Sequence, residues 1–281
     1  MKRRFHAKTG TILVLCLMGT VTLWAQNRGG QGASSLDARL AALEARVGIV
    51  EDVQDIYNLQ NAYGYYLDRS LFDDVADLFT DDAVVEINAR GVYRGKNVRN
   101  LFKGAMGGGV NGLQFGRINT HMQLQGVVHV DPGGRTAKGR WRSFAMLGTA
   151  GREGRQGNAM WSQGPYEITY RKVNGTWMFQ TMRWDPEINA DFHAGWNRPL
   201  TERELALAPG AGPATSAAAG AVAPGVGGQG TPAQGANLNQ TYPPDAPPTR
   251  RIKPFPEVDV LPFHYPNPVT GKATVIPEPR S

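Results

Sequence analysis

The chain has 281 residues, a formal charge of +6, five histidines and one cysteine. Lys2, Arg3, Arg4 and Lys8 carry four of the positive charges within residues 1–25, which hold no acid, so the rest of the chain is only +2. That balance gives no basis for a nucleic-acid or membrane-surface partner, and Cys16 alone excludes a disulfide framework or a cysteine metal site.

The chain begins with a basic segment followed by an apolar stretch from Thr11 to Trp24 and a small residue, Ala25, before Gln26. This order predicts a signal peptide over 1–25 and a periplasmic or secreted protein, with no stable membrane insertion after cleavage. Residues 26–33 read as a Gly/Gln/Asn linker, and 34–200 hold the patterning of one folded domain. Residues 206–249 are rich in Ala, Gly and Pro and read as a disordered linker. The final segment, 250–281, sets Phe255, Val258, Leu261, Phe263 and Tyr265 among prolines, and is expected to dock in extended form.

Within the domain, Ser34 or Ser35 is expected to cap a short helix with Leu36, Leu40, Leu43 and Val47 on one stripe. Such a stripe packs on its own domain or on another protomer. A second helix is predicted from Val50 to Tyr66, burying Val50, Val53, Ile56, Tyr57 and Tyr63. Ser70 and Asp73 resemble a capping box opening a third helix, with Phe72, Val75, Ala76 and Phe79 inward. Thr80-Asp81-Asp82 then turns the chain into a strand over Ala83–Ile87. Beyond a Gly-rich stretch the period falls to two, and 118–130, 135–149, 158–173 and 176–188 are predicted strands. Asn174-Gly175 between the last two is a strong hairpin signal. Helices followed by an antiparallel meander predict an α+β fold.

Tyr63-Gly64-Tyr65-Tyr66-Leu67-Asp68 and Phe72-Asp73-Asp74-Val75-Ala76-Asp77-Leu78-Phe79 resemble the opening helices of SnoaL-like proteins, in the nuclear transport factor 2-like superfamily. Tyr93-Arg94-Gly95-Lys96, Asn119-Thr120-His121 and Asn174-Gly175-Thr176-Trp177 continue the likeness, which spans residues 36–188. The resemblance implies a cone-shaped barrel in which a curved antiparallel sheet packs on three N-terminal helices and encloses a small-molecule pocket. It leaves function open, because the superfamily holds dehydratases, isomerases, epoxide hydrolases, cyclases, lyases and non-catalytic members.

The chain is most similar to the scytalone dehydratase branch. That likeness matches Asp68 to a helix-end catalytic aspartate and His121 to the first of two catalytic histidines. Leu67 replaces the family's tyrosine, the second histidine falls near Met146 or Leu147, and an asparagine of the pocket falls near Tyr166. Tyr65 and Tyr66 are the nearby phenols expected to polarise a substrate oxygen.

His121 also stands in a polar row with Asn119, Gln123 and Gln125, spaced by two along one strand face. Such a row faces either a cavity or solvent, and neutral imidazole suits acid–base transfer if the cavity is the answer. Asp68 either tunes His121 or caps the next helix. Trp141, Trp161 and Tyr166, with Asn119, Gln123 and Arg142, are the candidate ligand-binding residues for a flat aromatic or cyclic molecule. Gly107–Gly112 fits G-x-G-x-x-G, but no βαβ unit surrounds it, so it reads as a loop. The histidines show no ligand spacing, and neither metal nor cofactor is expected. The expected function is a cofactor-free lyase or isomerase acting on a small aromatic or cyclic substrate as a homodimer or homotrimer. The alternative is a non-catalytic periplasmic binding protein.

Overall fold

A computed structural model describes residues 10–205, 241–257 and 261–277, the side chains of 10–34 and Arg203 excepted. The chain divides into two compact units, one ending at Glu51 and the other beginning at Asp52. Val258 and Val260 of the final segment, and residues 206–240 of the expected linker, lie outside the described residues.

The first unit is helical. Helix α1 runs from Gly10 to Asp68 without a break, so the predicted linker at 26–33 and the two separate helices are one element. The segment holds no proline, and the glycines that looked like breaks cost only about 1 kcal/mol each in a helix interior. Leu36, Leu40, Leu43, Val47 and Val50 are all exposed, which corrects the expectation that Val50 is buried. Among the described residues no helix is long and apolar enough to cross a membrane.

In the second unit, the buried face of α1 is Ile56, Gln60, Tyr63 and Leu67, at helical spacings of four, three and four. Gln60 sits in this stripe fully buried because both ends of its amide are used. Its Nε2 donates to Gln123 Oε1 at 2.7 Å, and its Oε1 accepts from the Tyr170 hydroxyl at 2.9 Å. Helix α2 spans only Phe72–Asp77. The capping box does not form: Ser70 is left-handed at φ 53°, and Asp73 binds Arg99 and Lys103 across the fold. The Asp73 N–H is capped instead by Asn111 Oδ1 at 3.0 Å.

Strand β1 covers Phe79–Ile87, so Phe79 opens a strand rather than closing a helix. A 3₁₀ turn, Asn88–Arg90, leads to β2 at Val92–Arg94, and α3 at Asn97–Arg99 passes into a π turn, Asn100–Met106. Four long strands follow close to the predicted bounds: β3 Arg117–Val130, β4 Thr136–Thr149, β5 Asn158–Val173 and β6 Thr176–Trp184. A short β7, Ile188–Asp191, comes after Asp185-Pro186-Glu187 and pairs back onto β5. Asn174 and Gly175 both have positive φ, 50° and 84°, the geometry that a two-residue hairpin requires.

The described strands form one sheet in the order β2-β1-β6-β5-β4-β3, with β7 beside β5. Two parts of the predicted architecture are corrected. The sheet is mixed, since β1 runs parallel to β6, and it is open, since β2 and β3 lie at opposite edges. The C-terminal part of α1 supplies the reason: Ile56, Tyr63 and Leu67 share a single apolar cluster with Val85, Tyr166, Ile168 and Phe179. A helix that fills the concavity leaves the edges no need to meet.

Described residues between Thr241 and Tyr265 are placed against the sheet, although 241–249 fell within the expected disordered linker. The Tyr93 hydroxyl donates to Tyr242 O at 3.0 Å, and Ala246 bridges to Val92. Glu86 accepts from the Thr249 backbone and Asp185 from Arg250. Farther on, Arg140 donates to the carbonyls of Leu261 and Pro262 and lies 4.2 Å from the centre of the Phe263 ring. Its donors satisfy carbonyls that an extended chain cannot pair by itself.

Candidate functional site

A cavity lies between the end of α1 and the concave face of the sheet. The space measures about 640 Å³, a figure that counts the part open to solvent. Its polar wall is one rung of the sheet. His121 on β3 pairs with Ala145 on β4, Ala145 with Ser162 on β5, and Ser162 with Asn189 on β7. Residues directly opposite one another project from the same face, so these four side chains line the cavity in a row. Ala145 and Ser162 are small, and the gap between His121 and Asn189 stays open.

Above this rung stand Tyr63 and Leu67 from α1, Met106 from the π turn, Ile87 from the end of β1, and Asn88 and Arg90 from the 3₁₀ turn that follows it. Ser143, Leu147, Tyr166 and Trp184 complete the lining. The Trp184 indole donates to Ser143 Oγ at 2.7 Å, and Ser162 Oγ donates to Asn189 Oδ1 at 2.6 Å. Tyr63 and Tyr166 meet hydroxyl to hydroxyl at 3.5 Å. Burial raises the Tyr166 pKa to about 12 and pushes Tyr63 well above its usual value, so both are neutral hydroxyls able to donate.

His121 is held by its backbone neighbours. Its Nδ1 lies 3.2 Å from the carbonyl of Asn119. A carbonyl only accepts, so Nδ1 carries the proton and Nε2 keeps its lone pair. Burial lowers the imidazole pKa, opposed by the Asn119 carbonyl and by the charge of Asp68. The ring is therefore a neutral base at neutral pH.

Asp68 stands differently from its expected role. Its Oδ1 accepts the backbone N–H of His121 at 2.6 Å, and the residue does not line the cavity. β3 is an edge strand with unpaired N–H groups, and a carboxylate at the helix end satisfies one of them. The helix comes this close because Gly64 has no side chain: a Cβ there would meet Gln123 Cγ at 2.9 Å and the His121 carbonyl at 3.0 Å.

Other expected residues lie elsewhere. Tyr65 is 70% exposed, and Tyr66 packs against the core outside the cavity. Asn119 is buried and donates to the Leu67 carbonyl at 2.7 Å, while Gln123 binds Gln60 and the His121 carbonyl. Gln125 departs from the polar row, because the β3–β4 register shifts between Leu124 and Val127 and Gln125 takes φ 51°. Trp141 does face α1, but it is core: its ring meets Tyr57 at 4.6 Å and its N–H donates to Tyr170 at 2.8 Å. Trp161 is stacked on Phe144 at 5.5 Å, away from the cavity. Alternation explains this, because its neighbour Ser162 takes the inward position. Arg142 pairs with Glu187 at 2.8 Å and with Gln125, again outside.

His121 and Tyr166 are thus brought to one cavity together with Tyr63, Asn88, Arg90, Ser143, Ser162, Trp184 and Asn189, which the sequence analysis did not single out as ligand contacts. The signal that would have found Ser143 and Ser162 is small residues facing inward on adjacent long strands, visible only once the register is known. Of the positions compared with the scytalone dehydratase branch, Leu67 and Tyr166 line the cavity, and of Met146 and Leu147 only Leu147 does.

Residues 49–183 match the family described as the SnoaL-like domain. No match was found among curated proteins. Solved structures that resemble the chain include a candidate scytalone dehydratase from Novosphingobium aromaticivorans, 21% identical, TM-score 0.43, covering 53% of this chain and 92% of that one. An NTF2-like protein with a cystatin-like fold from the same species is 20% identical, TM-score 0.39, covering 59% and 95%. The hexachlorocyclohexane dehydrochlorinase LinA-type3 of Novosphingobium barchaimii is 15% identical, TM-score 0.41, covering 56% and 97%.

Proposed function

Since the chain carries a SnoaL-like domain of the NTF2-like, cystatin-like fold, we propose that it is an exported, cofactor-free lyase or isomerase acting by acid–base chemistry on a small cyclic or aromatic molecule. The observation that carries this reading is the neutral His121 ring, its Nδ1 tied to Asn119, lining a cavity with two un-ionised tyrosines. Export rests on the basic and apolar opening of the chain.

In the elimination we favour, His121 Nε2 removes a proton from carbon next to a substrate carbonyl. The C–H electron pair forms the new double bond as the C–O bond on the next carbon breaks. The imidazolium then returns its proton to the leaving oxygen, which departs as water, and the ring is neutral again. Tyr63 or Tyr166 donates to the carbonyl oxygen, where negative charge develops. These phenols take the role that Tyr65 and Tyr66 are too far outside the cavity to fill. Asp68 is a positioning residue, acting on the strand that carries His121.

The competing reading is a non-catalytic binding protein using the same cavity. Leu67 favours it, and so do Met146 and Leu147, near which the second histidine falls, because they put apolar side chains where the scytalone dehydratase likeness has reacting groups. Turnover of cyclic β-hydroxy ketones by the wild type and by His121→Ala separates the two. The enzyme reading expects a loss on the order of a hundred-fold or more. Equal turnover in wild type and variant, or none in either with ligand still bound, would favour the binder. Asp68→Asn should cost only several-fold, since an amide oxygen still accepts the backbone N–H.

A further inference from the structure

We propose that Arg90 and Asn88 form a carboxylate-binding subsite within this cavity, so that the molecule it takes is a small cyclic carboxylate. The inference rests on the cavity being a ligand site, as the proposed function holds. Both residues belong to the 3₁₀ turn after β1, and both line the cavity. Asn88 is oriented: its Oδ1 accepts the Ala89 N–H at 2.7 Å, so its amide NH₂ is the free end. Arg90 is half-buried, and among the described residues no side chain or carbonyl takes a hydrogen bond or ion pair from it. Burial lowers its pKa.

A half-buried guanidinium with no counter-charge is a costly arrangement that an anionic ligand would relieve. Other arginines show the contrast: Arg99, Arg140, Arg142, Arg171 and Arg183 each have a carboxylate partner, and half-buried Arg117 donates to the Met106 carbonyl. A planar guanidinium beside an amide NH₂ presents donors to both oxygens of a carboxylate. The rest of the lining, Leu67, Met106, Leu147 and Trp184, suits the apolar body of a ring.

The test compares benzoate, cyclohexanecarboxylate and naphthoate with their neutral amides, by calorimetry on the full chain at neutral pH. At least one carboxylate is expected to bind roughly tenfold or more tightly than its amide. Arg90→Gln should erase that preference, Arg90→Lys should keep part of it, and His121→Ala should leave it intact. Because Arg90 makes no bond among the described residues, unfolding temperatures should be no lower than the wild type's. Equal binding of acids and amides, binding of neither, or an Arg90→Gln protein that keeps the preference would overturn the proposal. If His121→Ala keeps full turnover while Arg90→Gln loses the preference, the acid–base reading fails and the subsite stands. The reverse pattern sinks the subsite alone.

The first unit carries an interaction surface of its own, and we infer that it is the seam of a parallel, in-register homodimer. Leu36, Leu40, Leu43, Val47 and Val50 recur at alternating spacings of four and three, and each is 53% to 69% exposed. Those spacings make Leu40 and Val47 the a positions of a heptad and Leu36, Leu43 and Val50 the d positions. The flanking e positions are then Asp37, Glu44 and Glu51, all acidic, and the g positions are Arg39 and Arg46, both basic. In a parallel pair each g residue meets the e residue five positions on in the other copy. Arg39 would meet Glu44 of the second copy and Arg46 would meet Glu51. An antiparallel pair would set arginine against arginine and acid against acid, which is disfavoured.

Light scattering on the full chain should show a dimer. In a chain with Cys16 replaced by Ala, Leu36→Cys and Val50→Cys should each cross-link to their own kind under mild oxidation. An antiparallel seam would cross-link only a mixture of the two. Arg39→Glu with Arg46→Glu should weaken the dimer, and adding Glu44→Arg with Glu51→Arg should restore it. A monomer at tens of micromolar, a mixed-only cross-link, or a dimer indifferent to the charge reversal would overturn the inference.

Discussion

The two ends of the surface between α1 and the sheet are built from the same strands and differ in what they enclose. At one end Trp141 fills the concavity, packed edge-on against Tyr57 and bonded to Tyr170, with Asp52 tying α1 to Lys172 and Trp177 of the β5–β6 hairpin. At the other end, four residues along β4 on the same face, Ala145 stands between His121 and Ser162 and the space is hollow. The β4–β5 register and the strand directions are shared. Side-chain volume at the inward positions separates core from cavity, so one end is packed and the other is open.

Exchanging the sizes tests this division. Trp141→Ala at the filled end should have the largest effect, a loss of about 3–5 kcal/mol in unfolding free energy, from lost burial plus the cavity left behind. Denaturant unfolding measures it, and ligand affinity per folded molecule should hardly change. Ala145→Leu at the hollow end should do the opposite. It places a branched side chain between His121 and Ser162, and should weaken ligand binding on the order of tenfold or more, with a stability change within about 1–2 kcal/mol of zero. If Ala145→Leu binds as the wild type does, the cavity is not the ligand site.

The smallest expected effect is the response to pH. Burial depresses the His121 pKa below its usual 6.5, so the folded protein binds fewer protons there than the unfolded chain. Above the unfolded value the group contributes no pH dependence. As pH falls below it the unfolded chain takes up the proton first, and stability declines until the folded value is reached. Turnover that needs the neutral ring should fall over the same acid range, with its inflection below 6.5. An inflection above that point, removed by His121→Ala, would mean that the ring is stabilised as a cation and would break the assignment of base.

Most of the fold was legible because strands and turns are local statements. Four runs of period two, an Asn-Gly hairpin and an amphipathic helix stripe each follow from neighbours a few residues apart. The site was less legible. His121 and Tyr166 could be named from their positions, but Trp141 and Trp161 were read as ligand contacts on chemistry alone, and both lie outside the cavity. Asp68 was placed at the right turn of chain with the wrong partner atom, since a carboxylate can reach a ring or a backbone N–H at nearly the same separation.

By itself, then, the amino-acid sequence determined most element types, the Asn-Gly hairpin and the alternation that sets His121 in a polar row, because propensity and alternation act over a few residues. Only the tertiary structure decided that the sheet stays open and that Asp68 holds a backbone rather than a ring. It also decided that Ala145, Ser162 and Asn189 fall into line with His121. Those outcomes depend on register between strands far apart in the chain and on α1 filling the concavity. A cavity is set by what residues distant in sequence leave unfilled, and no local pattern records that.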